Sequence, residues 1–382
     1  MSNMDAFIYL DYNATTPVDP RVLEVMIPYF SELYANSGSS HLFGLTIKEA
    51  VEQSTEQIAK LISSHPKEII YTSGATEAVN LALKGLDKKD GRNHIITLRT
   101  EHKAVLDTCS YLDKIGFDIS YLDVKQDGII DLNELESTIC ENTLLVCVML
   151  VNNETGVIQP IKEISEIAHE KGCFIFCDAT QAVGKIPVNV KDLGIDLMAF
   201  SAHKFYGPKG VGALYISSEI KKNISSQIHG GGQQFGIRSG TLNVPGIIGM
   251  GKAAKIAGEE MQENIQYIEN LRDELENSLL KIPDTYINGD KNQRIFNTSN
   301  ICFSGVNSEQ MILSLGNISV SSGSACNATT SKPSHVLKAM GMDDLDALSS
   351  IRFSLGKFTT KSEIETAVHK IEKIVLQLRN PD

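Results

Sequence analysis

The stretch Asp196–Ile216, DLMAFSAHKFYGPKGVGALYI, decides the fold. Strand-like LMAF ends at Ser201-Ala202-His203-Lys204, a Gly/Pro-rich turn follows, and GALYI reads as a second strand. A lysine just beyond a buried strand stands at the carboxyl edge of a sheet, where open α/β sheets bind ligands. Burial and neighbouring cations lower an amine's pKa enough for Schiff-base chemistry. On this segment alone, a surface lysine in a turn is the competing reading.

Working outward, HIITL, LLVCVML, CFIFCD and DLMAFSA are continuously apolar or β-branched runs ended by polar residues, and GALYIS is another. Such runs suit strands buried on both faces. Between them lie amphipathic segments such as IKEISEIAHEKG, with apolar residues at three- and four-residue steps and a Lys-Gly stop. Strands alternating with helices predict a largely parallel sheet covered on both sides. Near residue 245 the texture changes to a long charge-rich helical stretch, followed by fewer buried-strand signals. The 382-residue length exceeds the usual size of one core. We therefore expect a large domain over residues 14–250, and a smaller α+β domain from residues 1–13 and 251–382.

Composition narrows the function classes. Hydrophobic residues are 42% and charged residues 21%, ordinary for a globular chain. No apolar run of about eighteen residues predicts a membrane span, and MSNMDAFIYLDYNATTP does not read as a signal peptide. The net charge of −12 argues against sequence-independent nucleic-acid binding. The seven cysteines mostly sit in apolar runs, where they act as small hydrophobes. No zinc-like spacing accompanies Cys173 and Cys177, so no resident metal is expected, and a reduced, cytoplasmic setting fits.

Several residues carry chemistry. Asp178 ends CFIFCD, 26 positions before Lys204, about one strand–helix–strand unit. A carboxylate there can face a pyridine nitrogen and keep it protonated; a helix cap is the plainer role. EIIYTSGATEAVNLALKG turns at Ser73-Gly74 into a helix start at Ala75-Thr76, whose free N–H groups suit a phosphate, and Ser201 and His203 can add donors. His102, in TEHKAV, can stack on a ring and relay protons, or simply begin a helix. Asn153, in VNNETGV, is otherwise a turn former. Arg352, in the apolar SSIRFSLG, needs an anion, either a substrate carboxylate or a structural acid. Cys326 differs from the other six cysteines: VSSGSACNATTSKPSHV is polar and aperiodic, which suits an accessible nucleophilic thiol as well as an incidental one.

Together these blocks resemble the cysteine desulfurases of the class V aminotransferase fold. The resemblance runs from about residue 8 to residue 360 through LDYNATTP, GSSHLFG, TSGATEA, TEHKAV, VNNETGVIQP, CDATQAVGK, SAHKFYGPKGVGALY, RSGTLNVPGIIGMG, SSGSAC and SSIRFSLG, in the family's order. The loop around Cys326 has the Ser-Gly-Ser-Ala-Cys form of the group with a long mobile catalytic loop.

The resemblance implies fold type I of the pyridoxal-phosphate-dependent transferases, with a mostly parallel seven-stranded sheet. It makes pyridoxal 5'-phosphate the cofactor and L-cysteine the substrate, with Lys204 holding the cofactor and Cys326 taking the sulfur as a persulfide. Asp178 would pair with the pyridinium nitrogen, Gln181 with the phenolic oxygen, and His102 would stack on the ring. Ala75, Thr76, Ser201 and His203 would bind phosphate, with Thr241 reaching it from the other subunit of a homodimer. Asn153 and Arg352 would hold the substrate carboxylate, and Asn13 would line the pocket. The sulfur acceptor would be an iron–sulfur scaffold or a tRNA-thiolation protein, and Cys326 is a candidate transient iron–sulfur ligand. After HGGG, Gln234 and Phe235 replace the family's acidic and basic residues, which puts local loop and dimer contacts in question. A selenocysteine lyase, an ordinary aminotransferase and a non-catalytic scaffold are the competing functions on this fold.

Overall fold

The computed structural model describes residues 7–87, 91–323 and 332–380; Cys326 lies outside them. The Asp196–Ile216 stretch forms two antiparallel strands, and the sheet grows around them. The arm strand β1 (Ile8–Tyr9) is followed by the seven strands of the main sheet. These are β2 (Ile69–Thr72), β3 (His94–Leu98), β4 (Asp118–Leu122), β5 (Thr143–Cys147), β6 (Phe174–Asp178), β7 (Leu197–Ser201) and β8 (Gly212–Ile216). Their order is β2-β8-β7-β6-β5-β3-β4. Only β8 runs against its neighbours, pairing antiparallel with both β7 and β2. The sheet is mostly parallel, as expected.

Period-two alternation explains why these runs are apolar throughout. Met198 and Phe200 of β7 point into one hydrophobic cluster, and Leu197 and Ala199 into another. Ala213 and Tyr215 of β8 divide from Leu214 and Ile216 in the same way. Each strand therefore buries both faces, and each fully buried Phe or Leu contributes about 2–3 kcal/mol of transfer free energy. The half-exposed β4 pairs only with β3, at the sheet's far edge.

Asn243 caps the 36-residue helix Val244–Leu279 and Pro245 occupies its first turn. The helix runs unbroken past residue 250 and packs on helices Leu42–Leu61 and Lys361–Arg379. Beyond it, β9 (Thr285–Ile287), β10 (Thr298–Phe303) and β12 (Ser350–Ser354) form a three-stranded antiparallel sheet, while β11 (Ile318–Ser319) pairs in parallel with β1. The N-terminal arm thus returns to the C-terminal part of the chain. Among the described residues no helix is long and apolar enough to cross a membrane.

Candidate active site

Parallel strands share one carboxyl edge, so residues far apart in sequence arrive together there. Asp178 and Ser201 are the last residues of β6 and β7, and Lys204 lies three residues beyond β7 in a single 3-10 turn. Beyond β2, Ser73-Gly74 leads into helix Ala75–Gly85, whose N-cap Gly74 has no side chain to offer its first N–H groups. A cavity of about 730 Å³ opens on this edge. It is lined by Asn13, Ala75, Thr76, His102, Asn153, Asp178, Gln181, Ser201, His203, Lys204 and Arg352. Thr241 is not among them; it lines a separate groove with Asn36, Gln233 and Phe235.

Lys204 is not a surface turn lysine. Its Nζ donates to the backbone oxygens of Asn13 at 2.6 Å and Ala14 at 2.8 Å. Burial, helped by the Arg352 guanidinium, brings the amine down to about 8 against the opposing pull of Asp178 and Asp11. In the neutral amine both N–H donors are thus engaged, and the lone pair remains for a carbonyl carbon. Burial and the neighbouring Lys204 lower His203 to about 4, so its ring is neutral at physiological pH. Its Nδ1 lies 3.1 Å from Thr15 Oγ1.

Asp178 is buried, and its Oδ1 accepts the Thr180 N–H at 2.9 Å, so it caps a turn while its carboxylate lines the cavity. The Ala75 N–H donates to Ser201 Oγ at 2.7 Å, joining the two phosphate-suited elements. His102 caps helix Lys103–Lys114, its Nδ1 accepting from the Ala104 N–H, which leaves the ring proton of the neutral form on Nε2.

Asn13 is a hub. Its Nδ2 donates to Thr298 Oγ1 and the Asn153 oxygen, its Oδ1 accepts from Lys185 and Asn297, and its backbone oxygen accepts from Gln181 Nε2. Its side-chain donors and acceptor are all engaged within the fold. Lys185, which the sequence reading did not single out, also donates to Gln181 Oε1 at 2.6 Å. That bond fixes the Gln181 amide with its nitrogen towards the Lys204 side. Burial takes the Lys185 amine well below its ordinary value, with Lys204 adding to the effect. Gly184 makes this turn possible: it has φ +78°, and a Cβ there would come within 2.5 Å of Phe205, the residue after Lys204.

Arg352, on β12, has the structural acid among its two expected partners. Nη2 donates to Asp11 at 2.6 Å and Nη1 to the Asn153 oxygen at 2.9 Å, while the buried Nε has no partner. A buried guanidinium N–H without a partner is uncommon, and Arg352 is also one of the residues that line the cavity. The set fits pyridoxal phosphate and an amino acid: a helix start at the cavity, a carboxylate, a fixed amide, a buried amine and a guanidinium. At the departure from the family pattern, Gln234 spans the Tyr71 backbone, accepting its N–H at 2.6 Å and donating to its oxygen at 2.9 Å. Phe235 lies under Lys221, 3.6 Å from Nζ to the ring centre. Two polar bonds and a cation–π contact thus occupy the place of the missing charges.

The model of the aminotransferase class-V family matches residues 8–366. A cysteine desulfurase IscS of Rickettsia africae (strain ESF-5) is 49% identical over 99% of this chain and 93% of its own length. Another, from Dechloromonas aromatica (strain RCB), is 50% identical over 97% of this chain and 93% of its own. A solved NifS-like protein superposes with a TM-score of 0.91 at 39% identity, covering 97% of this chain and 99% of that one.

Proposed function

Because the chain belongs to the cysteine desulfurases of the class-V aminotransferase family, which are pyridoxal-phosphate-dependent enzymes, we propose that its site moves the sulfur of L-cysteine onto Cys326, releases L-alanine and passes the sulfur on for iron–sulfur cluster assembly. The observation that carries this reading is the convergence of Lys204, Asp178, Gln181, Ser201 and the Ala75 helix start on one cavity. Bound pyridoxal phosphate supplies a ring that takes up the charge left when the Cα proton is removed.

The residues then divide the work. Arg352 and Asn153 hold the substrate carboxylate, which fixes the Cα–H bond. The Lys204 amine, lowered to about 8, removes the Cα proton and returns it later. With the cofactor bound, Asp178 would keep the ring nitrogen protonated, the Gln181 amide would hold the phenolic oxygen, and His102 would cover the ring. Ala75, Thr76, Ser201 and His203 would hold the phosphate, completed by Thr241 of the second copy in a homodimer. The Cys326 thiolate attacks the substrate sulfur: an S–S bond forms, the Cβ–S bond breaks with its electron pair going to carbon, and a proton completes alanine. Support for the dimer comes from Tyr34 and Leu42, 71% and 81% exposed, which flank in sequence the residues 36–39 that line the Thr241 groove. Residues 14–250 form the cofactor domain in this reading, and residues 1–13 with 251–382 the smaller one. An iron–sulfur scaffold protein is the proposed acceptor, with a tRNA-thiolation protein as the alternative. The described cysteines are all free, which suits the reducing cytoplasm.

Cys326→Ala is expected to abolish cysteine-dependent alanine and persulfide formation while keeping the cofactor's absorption band. Retained alanine release, or loss of the band, overturns the assignment.

A further inference from the structure

One buried acid has no part in these steps. Glu154 follows Asn153 and is 2% exposed. Its own backbone is fixed: the N–H donates to Asn152 Oδ1 at 2.9 Å, and the carbonyl accepts from Asn300 Nδ2 of β10 at 3.1 Å. Its carboxylate meets the chain on both sides of residues 324–331, the segment that contains Cys326.

On the downstream side, Ser334 donates its hydroxyl to Glu154 Oε2 at 2.5 Å. The same hydroxyl oxygen accepts the N–H groups of Val336 at 3.1 Å and Leu337 at 3.2 Å. Its lone pairs are spoken for, so towards Glu154 it can only donate. On the upstream side, Gly323 has φ +79°, and a Cβ there would lie 2.5 Å from the same Oε2. Only glycine lets the backbone rest on that oxygen. Two residues earlier, Ser321 is bridged to Arg352, its N–H donating to the Arg352 oxygen at 3.2 Å. The upstream flank is thereby held in register with the residue proposed to grip the substrate carboxylate.

We propose that Glu154 is a positioning residue for the alanine-releasing step: it holds Ser334 and packs against Gly323, the two described flanks of the segment that contains Cys326. The proposal rests on the reading of Cys326 as sulfur acceptor. Burial raises the Glu154 acid to about 7, with Ser334 and then Arg352 drawing it down. Arg352, from β12, is the charged side chain among the described residues that acts on it. As pH falls, the Ser334 bond changes from charge-assisted to neutral and holds less firmly.

The test uses the full-length, cofactor-loaded enzyme in single turnovers with L-cysteine. Two signals are followed: the cofactor's spectral change on mixing, which precedes any need for Cys326, and the release of alanine. Glu154→Ala should leave the first unchanged and slow the second by roughly tenfold or more. Glu154→Gln keeps the shape and an acceptor, so it should retain more activity. The ratio of wild-type to Glu154→Gln alanine release should fall towards one between about pH 8 and about pH 6. Unchanged alanine release, an equal slowing of both signals, or a pH-independent ratio overturns the proposal. Cys326→Ala is run alongside: if it still releases alanine, the sulfur-acceptor reading has failed, independently of how Glu154 behaves.

Discussion

The two walls of the cavity are built differently. The cofactor wall is made of strand ends: Asp178, Ser201 and Lys204 follow directly from β6 and β7, and their positions come with the sheet. The opposite wall, with Asn153, Gly323 and Arg352, is braced from behind across the chain: Arg352 pairs with Asp11, 341 positions away, and Glu154 with Ser334, 180 positions away. The first wall needs fixed geometry around a resident group. On the proposed function the second receives a substrate and a thiol at each turnover; in the structure it leaves Arg352 Nε unpaired. One division of labour follows: the sheet edge stores the chemistry, and long-range contacts admit the reactants.

The walls nevertheless share an electrostatic field, because Arg352 is the largest charge effect on the Lys204 amine after burial. Attack on an aldehyde requires the neutral amine. Loading of pyridoxal phosphate into the apo-protein should therefore speed up about tenfold per pH unit below about pH 8 and level off above it. Growth of the cofactor absorption band after mixing reports this rate. Arg352→Met should move the plateau to higher pH; an unmoved plateau would make the walls independent. A smaller effect tests the fork itself. Arg352→Lys keeps a charge for Asp11 but loses the planar donors, so kcat/KM for L-cysteine should fall by roughly tenfold to a hundredfold, mostly through KM. An unchanged KM would leave Arg352 a purely structural ion-pair residue.

This difference also explains what could be read in the sequence. The cofactor wall was legible because each of its residues adjoins a run whose apolar pattern announces a buried strand, as LMAF does for Lys204. Strand β4 was not, since Asp118–Leu122 is half exposed and carries no continuous apolar run. Arg352 could be recognised as needing an anion, yet Asp11 could not be chosen, because nothing local links positions 11 and 352. Glu154 was hidden by its neighbour: in VNNETGV the asparagines account for the turn, and the acid's partners lie far downstream. Lys185, in AVGKIP, looks like an exposed lysine after a glycine until Gly184 is seen folding it under Phe205. Buried polar partners of this kind are set by tertiary packing and leave no periodic trace.

Lys185 offers the finest test of how the walls are joined. Its Nζ donates to Gln181 Oε1 of the cofactor wall and to Asn13 Oδ1, which adjoins the substrate wall. Those two bonds use both N–H groups of a neutral amine, and no acid pairs with it among the described residues. Lys185→Met fills the volume but leaves Gln181 Oε1 unpaired and Asn13 Oδ1 with Asn297 alone, at a cost of about 1–3 kcal/mol. Freed from Lys185, the Gln181 amide can turn, so the cofactor band should shift and kcat should fall only a few-fold. The sign of the pH effect separates this from simple damage. Folded Lys185 holds its proton less tightly than the unfolded chain does, so the unfolded state binds the extra proton and wild-type stability rises with pH. The methionine variant lacks that contribution. The gap in unfolding free energy between wild type and variant should therefore widen by up to about 1.4 kcal/mol per pH unit above neutrality, until the lysine of the unfolded chain itself loses its proton. Denaturant unfolding at several pH values measures the gap, and a constant gap would mean that Lys185 is charged in the fold and joins the walls as a cation.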